Sequence, residues 1–154
     1  AEKSDQQIML NTLPFGTAGF DGAQAKDFGQ QIEALATVVD VFEVMTYHQI
    51  LKRPTAWIAQ AGQEIKVRSG RKTVCTIQAR PHYLEGIHAR SDRSLTLDED
   101  EFAEAVQAVE NAGLEGVCVF VWSDLLKDVL EHKNTRRVEA LQTSLEQRLA
   151  RLRP

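Results

Sequence analysis

Four consecutive strand–helix units, and so an α/β fold with parallel strands, are what the sequence predicts, on three observations. Four stretches are apolar and rich in β-branched or aromatic residues, in the manner of strands buried on both faces of a parallel sheet: residues 7–14, 38–51, 72–81 and 116–125. Each is followed by residues with the apolar spacing of a helix. Each also carries polar or aromatic side chains near its carboxyl end, where folds of this class place their chemistry. The 154 residues, 43% hydrophobic and 26% charged, are enough for one core in a single domain over 1–154.

The elements follow in order. Residues 1–6 are polar and expected to fray. Strand one closes at Pro14, and the glycine-rich run 15–22 (FGTAGFDG) matches no phosphate-binding spacing, which suits a loop at the mouth of a site. Helix one is expected over 23–37, with Phe28, Ile32 and Leu35 as its apolar stripe. After the second strand, Pro54 fits a first helical turn. Helix two covers 55–68, turning Trp57, Ile58, Ala61 and Ile65 inward, and Gly70 suits a left-handed cap. Residues 82–95 form a long polar loop at the carboxyl side of strand three, of a length that is usually functional. Thr96 to Glu99 reads as a capping box, and the acidic run 98–101 complements the positive end of a helix dipole better than it fits a metal site. Helix three turns Phe102, Ala105, Val106 and Val109 inward and stops at Gly113. Helix four starts near Thr135, capped by Asn134, and runs through Val138, Leu141, Leu145 and Leu149 to a basic tail.

Composition excludes several function classes. The net charge is −4, with no basic block or basic–aromatic patch, so nucleic acid is not an expected partner. No apolar run spans a bilayer, so neither is a membrane. There is no signal peptide, and the start at Ala1 fits a processed form or a piece of something longer; an Ala-Glu beginning would suit an exported protein. Strand parity puts Cys75 and Cys118 on opposite faces of the sheet, which argues against a disulfide and for two small buried hydrophobes. His82 and His88 have no zinc-motif spacing, and neither a metal nor another cofactor is expected.

Two architectures accommodate four βα units: part of a (β/α)8 barrel, or a small doubly wound sheet. No dinucleotide fingerprint or Walker sequence is present. The strand ends favour the barrel. Asn11, then Tyr47 and His48, then Gln78 and Arg80, then Trp122 and Asp124 stand at corresponding ends, as in the wall of a barrel site. Glu43 lies inside strand two, on the face of Tyr47. A carboxylate there needs a partner or a proton, and Arg80 on the next strand is the expected partner, with a role for Glu43 as acid or base as the alternative. A half barrel exposes two strand edges and an inner face. It is therefore expected to associate, with further copies of itself or with the missing amino-terminal half of the barrel.

The run VDVFEVMTYH resembles the sixth strand of family 18 (chitinase-like) glycoside hydrolases, whose signature is Met-x-Tyr-Asp. GVCVFVWSD is similar to their eighth strand, and KTVCTIQ and the Leu-Asn-x-x-Pro of strand one look like the seventh and fifth strands of related barrel hydrolases. His48 stands where that family has Asp, and its acid-bearing fourth strand has no counterpart here. The resemblance implies strands five to eight of a barrel that cleaves a polysaccharide or amino-sugar polymer. On it, Tyr47 holds a substrate acetamide, Trp122 forms the floor under a sugar ring, and Asn11, His48, Gln78, Arg80 and Asp124 contact hydroxyl or acetamido groups, with Glu43 beside them. A carbohydrate-binding or self-associating module without catalysis is the alternative.

Overall fold

Alternation along the strands decides what the sheet covers and what it leaves bare. In the computed structural model, which describes residues 6–17, 19–82 and 97–153, four strands form one parallel sheet in the order β1 (Met9–Thr12), β2 (Val41–Val44), β3 (Lys72–Gln78) and β4 (Gly116–Phe120). Sequential order without a reversal means that every connection steps to the adjacent strand. Phe42, Val44, Cys75 and Ile77 face one way and are fully buried. They pack with Ile58 and Ile65 of α3 (Ala56–Ser69) and with Phe102, Ala105, Val106 and Val109 of α4 (Glu99–Asn111) in one core cluster. Each such side chain contributes roughly 1.5–3 kcal/mol by leaving water.

Of the side chains with the other parity, Met9, Asn11, Glu43, Val74, Cys118 and Phe120 keep some exposure, whereas Val41, Thr76 and Gln78 are buried. No described helix packs on them as α3 and α4 pack on the first face. Cys75 and Cys118 are thus on opposite faces, and both are free thiols.

The second and third helices formed where periodicity put them. Gly70 closes α3 in the left-handed region at φ +62°, its N–H donating to Lys66 O. Within α3, Gly62 is required: a Cβ there would collide with Leu114 Cδ1 and come within 2.7 Å of Cys75 Sγ. The cap of α4 is Asp98, whose carboxylate accepts from Glu101 N at 2.8 Å, so the helix is capped further along the chain than the expected box; Thr96 lies outside the described residues.

Two expectations fail. Residues 23–37 make two four-residue helices, α1 (Ala23–Lys26) and α2 (Ile32–Leu35), because Gly29 takes φ +66° between them; Phe28 is left 61% exposed. And β4 stops at Phe120. Trp122 opens a helix, α5 (Trp122–His132), whose Leu125 is buried three residues on, so Trp122 and Asp124 stand on a helix and not on the expected strand. The last helix, α6 (Arg136–Arg151), packs through Arg137, Ser144 and Arg148 and through Ala140 and Leu141, while the rest of the leucine stripe, Leu145 and Leu149, remains 56% and 48% exposed. Ser144 and Arg148 both donate to Glu110 of α4, and Arg148 Nη1 reaches Leu114 O at 2.8 Å.

Candidate functional site

The bare face of the sheet gathers one chemically competent group. Glu43 is at its middle. Thr76 pairs with Cys118 in the β3–β4 register and donates from Oγ1 to Glu43 Oε1 at 2.5 Å. Asn11 is opposite Glu43 on β1 and exposed. Just past β2, the ring of Tyr47 lies 5.1 Å from that of Phe120, at 40°. The ring of His82 stands 5.5 Å from that of Phe120, at 47°. The three rings form a continuous aromatic wall beside the carboxylate. The Tyr47 phenol is held above its ordinary range by burial first, then by the negative charges of Glu43 and of Cys118 if ionised. It therefore stays a neutral donor across physiological pH. The Cys118 thiol is pushed up by burial and by Glu43.

Neither Glu43 nor Arg80 takes the partner expected for it. Glu43 is satisfied by Thr76. Arg80 turns away from the bare face to Asp128 of α5, which also binds Arg137 at 2.6 Å. Arg137 in turn reaches Glu99 Oε1 at 3.3 Å and Leu97 O at 2.7 Å. The reason is proximity of charge: Asp128 is buried and stands between two guanidiniums.

Gln78 and His48 are fully buried and engaged in the fold. Gln78 Nε2 donates to Gln49 Oε1 at 3.1 Å, and Gln78 Oε1 accepts from Ile50 N at 3.1 Å. Gln49 Oε1 also accepts from His82 N at 3.1 Å. These two amides brace the turn after β2 against the exit of β3, and so hold Tyr47 and His82 near Phe120. His48 Nε2 meets Glu101 Oε1 at 3.1 Å and ties the same turn to the start of α4.

Trp122 lies on the helix side of β4. It lines a hollow of about 460 Å³ with Val117, Val119, Leu141 and Leu145, apart from Tyr47. Asp124 is in the first turn of α5. The glycine-rich loop holds Phe15 and Phe20 with centroids 4.6 Å apart, and is tied to α3 by Thr17 N donating to Glu64 Oε1 at 3.0 Å.

Of the residues singled out from sequence, Glu43, Tyr47 and Asn11 share the bare face; Gln78 has the parity of that face but is buried and hydrogen-bonded to Gln49 and Ile50. His48 and Arg80 are committed to the scaffold, and Trp122 and Asp124 belong to α5. Thr76, Phe120 and His82 were not assigned to the site. Phe120 had a legible signal, being two residues before Trp122 and so on the parity expected of it. Among the described residues no group of three or more His, Cys, Asp or Glu is placed to hold a metal, and no helix is long and apolar enough to cross a membrane. Most of the 82–95 loop, His88 included, lies outside the described residues. Compared with protein-family models, curated proteins and solved structures, the chain matches none.

Proposed function

We propose that this chain supplies half of a (β/α)8 barrel, that the bare face of its sheet is the inner wall, and that Glu43, Tyr47 and Phe120 meet a carbohydrate there as part of a glycoside hydrolase acting on a polysaccharide or amino-sugar polymer. The observation that carries this is the placement of a carboxylate, a neutral phenol and an aromatic wall together on the face that no described helix covers. A pyranose presents an apolar C–H side and a rim of hydroxyls, and such a wall offers both complements. Phe120 takes the floor role that the resemblance implied for Trp122. Tyr47 donates to a hydroxyl or acetamide oxygen. Glu43, held by Thr76 through one oxygen, offers the other to the sugar. Asn11 adds a hydrogen-bonding amide from the neighbouring strand.

Glycosidic cleavage takes an acid and a second stabilising group, and the strand that carries the acid in the resembling family has no counterpart in this sequence. Among the described strand residues Glu43 is the one carboxylate on the bare face, which favours a second reading, a module that binds sugar without cutting it. One experiment separates them. The chain is titrated calorimetrically with chitin-like, β-1,6-glucosamine and β-glucan oligomers, and reducing ends are counted in parallel. We expect binding that Tyr47→Phe and Phe120→Ala each weaken about tenfold, the effect of roughly 1.4 kcal/mol. Cleavage lost in Glu43→Gln with binding retained identifies an enzyme; binding with no cleavage by the unaltered chain identifies a module. Failure to bind any of these oligomers rejects both.

A further inference from the structure

A half barrel needs parallel neighbours for both outer strands, β1 and β4, a need that rests on the half-barrel reading of the proposed function. The two edges are opposites. Behind β1 the helical layer is thin: α1 and α2 have four residues each, and Phe28 stands uncovered. Behind β4 it is in surplus. Two full helices follow that strand, and α6 leaves Leu145 and Leu149 exposed, Leu145 lining one hollow with Trp122, which is 58% exposed.

Charge divides in the same way. Residues 19–40, behind β1, carry Asp21, Asp27, Glu33 and Asp40 against Lys26 alone. Residues 136–153, behind β4, carry five arginines against Glu139 and Glu146. Some of these are matched internally. Lys26 pairs with Asp21 and Arg68 with Glu33, while Arg137 and Arg148 bind Asp128 and Glu110. Asp27 remains on the acidic side at the surface. On the basic side Arg153 remains exposed, as does much of Arg151, which lies 3.6 Å from Glu110 and borders a hollow with Met9 and Val74.

A thin helical layer with an acidic excess on one edge, and a surplus of apolar and basic helix surface on the other, within the same chain, point to a second copy as the complement. We propose that two copies close about a twofold axis parallel to the strands, β4 of each beside β1 of the other. In this pair, α6 of each copy roofs the thin layer behind its neighbour's β1. The two junctions are equivalent, so the assembly closes instead of growing. Each copy brings its own Glu43 and Tyr47 to the shared interior, and the pair thereby holds the two carboxylates that cleavage of a glycosidic bond commonly uses.

Sedimentation velocity over a concentration series tests this. The expected result is a species of two chains that does not grow further. Leu145→Glu and, on the opposite edge, Phe28→Glu should each abolish it while the far-ultraviolet circular dichroism stays native; both positions are exposed, and either variant serves if the other fails to fold. Single chains at every concentration, masses that climb without limit, or a two-chain species indifferent to both substitutions would each overturn the proposal. Its fate is separable from that of the carbohydrate site. Single chains that bind oligosaccharide sink the closure and leave the sugar reading standing; a closed pair that binds none does the reverse.

Discussion

The two faces of one sheet obey different rules here. The face of Phe42, Val44, Cys75 and Ile77 is dry, apolar and roofed by α3 and α4. The face of Glu43, Thr76, Cys118 and Phe120 carries a carboxylate, a hydroxyl and a thiol and has no such roof. Strand alternation makes both from the same residues, so substitutions at neighbouring positions report on separate properties. Apolar burial is concentrated on the first face and the carboxylate, hydroxyl and thiol on the second.

The sharpest break should come from truncating matched aromatics. Phe102→Ala, in the roofed core, is expected to lower unfolding stability by about 3–5 kcal/mol, whereas Phe120→Ala, already 37% exposed, should lower it far less; urea denaturation of both variants measures the contrast. Equal losses would mean that the second face is covered in solution. Next in size, Gly62→Ala should cost about 1–3 kcal/mol in the same assay, since its methyl group has nowhere to go between Leu114 and Cys75. On the bare face, Thr76→Val should cost about 1 kcal/mol by leaving Glu43 without its donor, and should weaken oligosaccharide binding more than Thr76→Ser does.

Alkaline pH sharpens the comparison further. Burial pushes the Cys75 thiol from 9.0 to about 12 in the folded chain. The unfolded chain therefore releases that proton first as pH rises, so the thiol's contribution to stability is intact below 9 and lost between there and about 12. The urea midpoint of the unaltered chain should fall across that window, and Cys75→Ala should flatten the fall while lowering the midpoint at neutral pH. The smallest effect belongs to Tyr47. Its phenol is raised partly by Glu43, so Glu43→Gln should shift its spectrophotometric titration back toward 10.0. An unmoved titration would mean that the carboxylate and phenol do not face each other.

What could be read from sequence was what local spacing encodes. The inward residues of α3 and α4 and the glycine cap at Gly70 follow from the 3.6-residue period and from φ preference. Glu43 and Tyr47 sharing a face follows from parity. The end of β4 was not legible, because GVCVFVW runs from strand into helix with no glycine or proline at the junction to mark the change. The break of the first helix was, in principle, carried by Gly29, but the apolar residues on either side mask it. Arg80 was misassigned for a longer-range reason. Its true partner, Asp128, lies 48 positions away on a helix that the strand pattern concealed.

The buried carboxylates of α4 and α5 have a consequence for how the chain is made. Asp128 sits between Arg80, which precedes it, and Arg137, which follows it, while Glu110 relies on Arg148, 38 positions further on. The guanidiniums of the last helix are made after both acids. Sealed away without them, Glu110 would be a lone charge in a poorly polarisable interior and Asp128 would keep Arg80 alone, so the helical layer cannot set until α6 docks. That terminal helix therefore works as a latch: a chain halted before it is expected to stay open to chaperones and proteases.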